Sequence, residues 1–354
     1  MASPLPAAAT PLRVLGAIAA ALTAWAIVAT PVAAHGPVPS EPPTAIGLLL
    51  DWQIEPIPAL AIVVALLWWR WATGRVDRLH PAHPVPRRRS VAFVGGLAAI
   101  AFALMSGIDR YDTTLFSVHM VQHILLTLVA APLIALSAPI TLTLRVASPE
   151  TRRRWLLPIL HSRPVRVLAF PVVAWVLFAA AMWGTHFTPL FDAALEDPVA
   201  HDIEHGIYLV SALLFWWPAV ALDPAPWRMA HPVRALYTFL QMTQNTFLSV
   251  VLLNVQTVLY PHYATLVRSW GPPPLIDQGT AAGIMWIVGD LIFLTAIMSI
   301  IAGWARAEGR DAARADRVAA AELVEIRRRE ELLAARRALA GDPEDAQSGS
   351  GVPR

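Results

Sequence analysis

HMVQHILLTLVAAPLIALSAPI, residues 119–140, holds no charged residue, and from Ile124 onward only Thr127 and Ser137 interrupt its apolar side chains. A run of this length suits the roughly 20 residues that a helix needs to cross a bilayer core about 30 Å thick. The quoted stretch sits inside a long apolar segment at 115–143, and comparable segments lie at 55–73, 90–108, 165–187, 203–221, 235–259 and 280–304. The chain therefore reads as all-α, a polytopic membrane helix bundle of seven transmembrane helices. Composition agrees: 56% of its 354 residues are hydrophobic and 15% are charged, against about 25% charged in soluble domains. Within the long third segment, Pro132 and Pro139 are expected to kink the helix or end it, because proline removes a backbone donor and clashes with the preceding turn.

Arginines orient the bundle. The connections at 70–90 and 145–166 are rich in arginine, and the 222–234 connection carries Arg228 and Arg234. The alternate connections are poor in it: 109–114 has Arg110, 188–202 has none and 260–279 has Arg268. By the positive-inside rule this predicts an inner-membrane protein with its N-terminus outside and its C-terminus cytoplasmic. The remaining segments divide simply. Residues 1–34 resemble a signal peptide or N-terminal anchor, with Arg13, the apolar stretch 14–29 and the small residues 32–34. Residues 35–54 form an extracytoplasmic segment and 55–304 the transmembrane domain. Residues 305–340 read as a charged cytoplasmic helix, and 341–354 as a disordered tail.

With no cysteine in the chain, disulfides and thiolate metal sites are excluded, and any metal falls to His, Met, Asp or Glu. Eleven histidines are present. On the predicted topology His80, His83, His161 and His231 face the cytoplasm, whereas His35, His119, His123, His186, His201, His205 and His262 lie outside or in the outer part of a helix. Ionisable residues at such depths are costly and point to function. His119 and His123 are four residues apart, as are His201 and His205, so each pair shares one helix face. His186 ends the fourth span, with Met182 one turn before it.

A lone interfacial histidine is more often a side chain reaching for headgroups, and methionines are commonly core filler. Two matched pairs at one depth argue instead for a shared metal site with His119, His123, His186, His201 and His205 as ligands. Imidazole with thioether and no thiolate suits copper. Gln122, Met182, Asp202 and Glu204 are the expected supporting residues. His262 is a further candidate, and so is His35, whose amino group and ring would chelate together after signal cleavage.

The same stretches carry a resemblance. HMVQHILLTLVAAPLIALSAPI (119–140), WGTHFTPLFDAAL (183–195), HDIEHGIYLVSALLFWWPAVA (201–221) and IDQGTAAGIMWIVGD (276–290) resemble, in order, the motifs of the bacterial cytochrome c oxidase assembly factor CtaG family. The likeness covers roughly residues 48–304. It implies seven membrane helices, a role in maturing the oxidase by copper delivery, and oxidase subunits as partners beside the lipid bilayer. It implies His119, His123, His186, His201, Glu204, His205 and the Asp277–Gln278 pair as site residues. No catalytic residue and no nucleic-acid partner is expected.

Three other functions compete with this reading. His201-Asp202-Ile203-Glu204-His205 matches the H-x-x-E-H pattern of a zinc peptidase, but no third ligand follows at a suggestive spacing. A haem carrier would bury its histidines well within the span. A copper transporter would continue the polar groups across the bundle; Asp290, Asn245 and Asn254 are present without a ladder of Met or His.

Overall fold

The computed structural model describes residues 38–340, and every regular element among them is helical. The predicted signal segment with His35, and the predicted disordered tail, lie outside the described residues. The principal helices are α1 (Pro56–Leu79), α2 (Arg87–Met105), α3 (Phe116–Ile124), α4 (Ala131–Ser137), α5 (Pro139–Val146), α6 (Pro171–His186), α7 (Leu190–Glu196), α8 (Pro198–Val220), α9 (His231–Asn254) and α10 (Pro274–Ala340). Prolines open many of them, where a missing N–H costs nothing and the fixed φ favours helix entry.

Five stretches are long and apolar enough to cross a membrane: α1, Arg87–Tyr111, Phe116–Val146, α8 and Pro274–Arg337. The pair α6 and α7, bent by 68°, makes a sixth if counted as one span. Helix α9 occupies the position of the predicted sixth span but falls outside this set. Its composition explains why: Thr238, Gln241, Asn245 and Ser249 line one face and are completely buried. The protein is thus an all-α, multi-pass membrane bundle.

Two large cores hold it together, with a smaller cluster of Ile108, Tyr111, Leu115 and Val118 beside them. One joins α3, α6, α8, α9 and α10 around Phe178, Phe215, Trp216, Leu248 and Phe293. The other seats α1 against α2 and the middle of the third span, with Trp69 and Phe93 stacked at 4.1 Å. The most extensive helix pair is α9 against α10.

The third span bends where its prolines predict, in a particular way. Between α3 and α4, residues Leu125–Ala130 form a π turn. In that register the Thr127 carbonyl would pair with residue 132, but Pro132 has no N–H. The indole of Trp216 donates to that carbonyl instead, at 2.9 Å. The helix then breaks at Ala138, which adopts a left-handed conformation (φ 57°, ψ 61°) ahead of Pro139. Such π turns are often found beside functional residues, and this one begins two residues after His123.

Candidate metal centre

Alternating helix direction brings the end of α2, the start of α3, the end of α6 and the start of α8 to one end of the bundle. Helix α3 has no capping side chain of its own. Asp277, from the first turn of α10, supplies the cap: the Phe116 N–H donates to Oδ2 at 2.7 Å and the Ser117 hydroxyl to Oδ1 at 2.5 Å. On α8, Asp197 caps in the ordinary manner, accepting from the Val199 and Ala200 N–H groups. These caps fix the first turns of α3 and α8, which carry the two histidine pairs.

The pairs face each other. Ring centroids lie 4.2 Å apart for His119 and His123 and 4.1 Å for His201 and His205, and across the helices His119 lies 5.5 Å from His201. Every one of these rings is buried, as are Asp112 and Glu204. Two triads result, each with ligand atoms within 4.8 Å of one another: Asp112, His119 and His201; and His119, His123 and Glu204. His119 belongs to both. Its Nε2 is 3.8 Å from Glu204 Oε2, and His201 Nε2 is 3.5 Å from Asp112 Oδ2.

Electrostatics mark the same place. Among the described residues, neither ring nitrogen of His119 or His123 and neither oxygen of Glu204 has a hydrogen-bond partner. Leaving buried polar atoms unpaired costs roughly 1–3 kcal/mol each. Asp112 lies in the turn between the spans. Burial, with Asp109 beside it, pushes its carboxyl well above the carboxylate range. Nearer the surface, burial and the Asp202 carboxylate raise Glu55. A cation at the triads would offset the burial of the Asp112 and Glu204 carboxyls.

The other predicted residues have distinct places. Gln122 donates from Nε2 to the Ala103 carbonyl (3.0 Å) and to Asp109 (3.2 Å), so its Oε1 accepts from His205 Nε2 at 3.1 Å. His205 is thereby oriented beside the triads rather than within them. His186 donates through Nδ1 to the Met182 carbonyl at 2.7 Å and also lies outside both triads. Asp202 is exposed and belongs to neither triad. Gln278 braces the 255–273 segment, accepting from Leu259 N–H and donating to the Thr257 carbonyl. His262 contacts the Thr113 carbonyl through Nε2 at 2.9 Å, a structural bond. Asp112 was not foreseen: a single acid in a turn carries no periodic partner in the sequence.

The donor set suits a transition-metal ion. Imidazole with carboxylate accommodates copper or zinc, and the unpaired nitrogens and carboxylate oxygens are the atoms such an ion would take up. Known proteins place the chain. Proteins of Mycobacterium bovis and Mycobacterium tuberculosis, both uncharacterized, are each 32% identical to it over 284 residues. One of Mycobacterium leprae is 29% identical over 285 residues. These alignments span 78% of this chain but 43% of each relative, so the chain accounts for less than half their length. No solved structure matches it. The profile of the cytochrome c oxidase caa3 assembly factor family, Caa3_CtaG, matches residues 65–307. With well over half of its length inside that match, the protein belongs to the cytochrome c oxidase caa3 assembly factor family.

Proposed function

We propose that this protein binds a copper ion at the His119-centred cluster and hands it to cytochrome c oxidase subunits during oxidase maturation. The observation that carries the proposal is the pair of buried triads sharing His119, in which the ring nitrogens of His119 and His123 and the oxygens of Glu204 have no hydrogen-bond partner among the described residues. Family membership supplies the oxidase. In the proposed topology the arginine-rich connections face the cytoplasm, so the cluster lies toward the extracytoplasmic side of the inner membrane. Copper is cargo here, and the role is that of a metal carrier rather than an enzyme. The peptidase reading needs Glu204 as a base for metal-bound water, yet its carboxylate lies in the ligand triad with His119 and His123.

The test replaces His119 and His123 together with Ala in cells that make the oxidase. Oxidase copper content and activity should fall while the protein stays in the membrane at its normal level. Unchanged oxidase copper in that double variant would overturn the proposal.

A further inference from the structure

Below the triads, one to two turns further into the span, lies a small cavity of about 10 Å³, near the size that admits a single water or a bare ion. Its lining includes three thioethers from three helices, Met120 on α3, Met182 on α6 and Met285 on α10, together with His123, His186 and Asn245. All three methionines are buried.

Two features set this pocket apart from packed core. His186 commits Nδ1 to the Met182 carbonyl at 2.7 Å, which makes that nitrogen the protonated one and leaves Nε2 as a bare lone pair. Nε2 has no hydrogen-bond partner among the described residues, and neither does the buried Oδ1 of Asn245. A metal-ligating histidine typically shows this arrangement, one nitrogen held by a carbonyl and the other presented. The second feature is chemical. Thioether sulfur is a soft donor that selects monovalent copper, whereas carboxylate favours harder ions. The donors therefore grade inward, from Asp112 with imidazole, through His119, His123 and Glu204, to sulfur with imidazole. His123 belongs to the inner triad and also lines the cavity, so the two stations are contiguous.

We propose that Met120, Met182 and Met285 with His186 form a second, soft-cation site that takes Cu(I), distinct from the histidine–carboxylate triads. The proposal deepens the reading above and rests on it for the identity of the cargo.

The experiment uses the purified full-length protein in detergent, with Ag(I) as a redox-inert stand-in for Cu(I) and Zn(II) as a probe of the triads. X-ray absorption of the wild-type protein loaded with Ag(I) should show sulfur neighbours. Replacing Met120, Met182 and Met285 by Leu, a nearly volume-conserving change, should weaken Ag(I) binding by more than the roughly 100-fold that outer-shell changes reach, with Zn(II) binding retained. Retained Zn(II) binding also reports an intact fold. Single Leu variants should each weaken Ag(I) binding by a smaller factor. Conversely, Asp112→Asn with His201→Ala should weaken Zn(II) and keep the sulfur-ligated Ag(I). Bound Ag(I) without sulfur neighbours, or unchanged Ag(I) affinity in the triple variant, overturns the soft site and leaves the triads standing if Zn(II) still binds. A wild-type protein that binds neither ion overturns both.

Discussion

The two ends of the bundle use buried carboxylates in opposite ways. At the arginine-rich end, Asp223 caps α5: it accepts from the N–H groups of Ile140 and Thr141 and from the Thr141 hydroxyl, at 2.6–3.1 Å. At the histidine end, Asp277 does the same for α3. The third span is thus held at its start and at its internal break by an acid from elsewhere in the chain. Only the histidine end adds two further buried acids, Asp112 and Glu204, beside His119 and His123, whose ring nitrogens have no hydrogen-bond partner among the described residues. Satisfied acids explain themselves as structure. A buried carboxylate without a hydrogen-bond partner, next to imidazole nitrogens that also lack one, calls for a ligand.

The largest expected effect breaks the contrast outright. His119→Ala removes the residue common to both triads, and Zn(II) or copper affinity measured by competition with a chelator should fall by more than roughly 100-fold, beyond what outer-shell changes produce. Next comes Gln122→Ala, which frees His205 from its brace. Affinity should fall roughly 10-fold, the lower end for an outer-shell partner, while oligomeric state and helicity stay constant. A matched pair of cap variants sharpens the comparison. Asp277→Ala and Asp223→Ala should each lower stability by about 1 kcal/mol in thermal unfolding, as loss of a helix cap does. Only Asp277→Ala should also weaken metal binding, since only that cap positions His119. Equal metal affinity in the two would break the proposed division between the ends. The smallest effect is expected from Arg145→Ala. Its guanidinium donates to the His83 carbonyl at an exposed site, so stability should shift by less than about 0.5 kcal/mol and metal affinity not at all.

Much of the fold was legible because the bilayer imposes it. Apolar runs located the long helices, and the proline pair marked the bend in the third span. Helix α9 shows the limit of hydropathy: its polar face is turned inward against α10, where Asn245 donates to the Met285 carbonyl at 3.1 Å. A window average cannot tell an inward polar face from a soluble helix. In the candidate site, the i,i+4 histidine pairs were readable from spacing alone. Three things were not. Asp112 joins through a turn with no sequence period, and Glu204, read as a supporting residue, stands among the ligand atoms. Asp277 acts on Phe116 across a separation of 161 residues. Pairings of that range follow from how the helices assemble, and a single sequence carries no mark of them. The Met120 and Met285 thioethers were visible, but nothing in their spacing said that they share a cavity with Met182.

Helix α10 has a mechanical consequence. It runs for 67 residues without a break, carrying its hydrogen-bond ladder from Asp277 in its first turn at the histidine end, through the bundle, and out beyond Trp304 as a rod that is exposed from Glu308 to Arg337. At 1.5 Å per residue the protruding part is about 54 Å long. With no hinge along it, a tilt of about 10° in the bundle would sweep the far tip through about 9 Å, so motion at the buried end of this lever becomes readable by whatever meets it at the other.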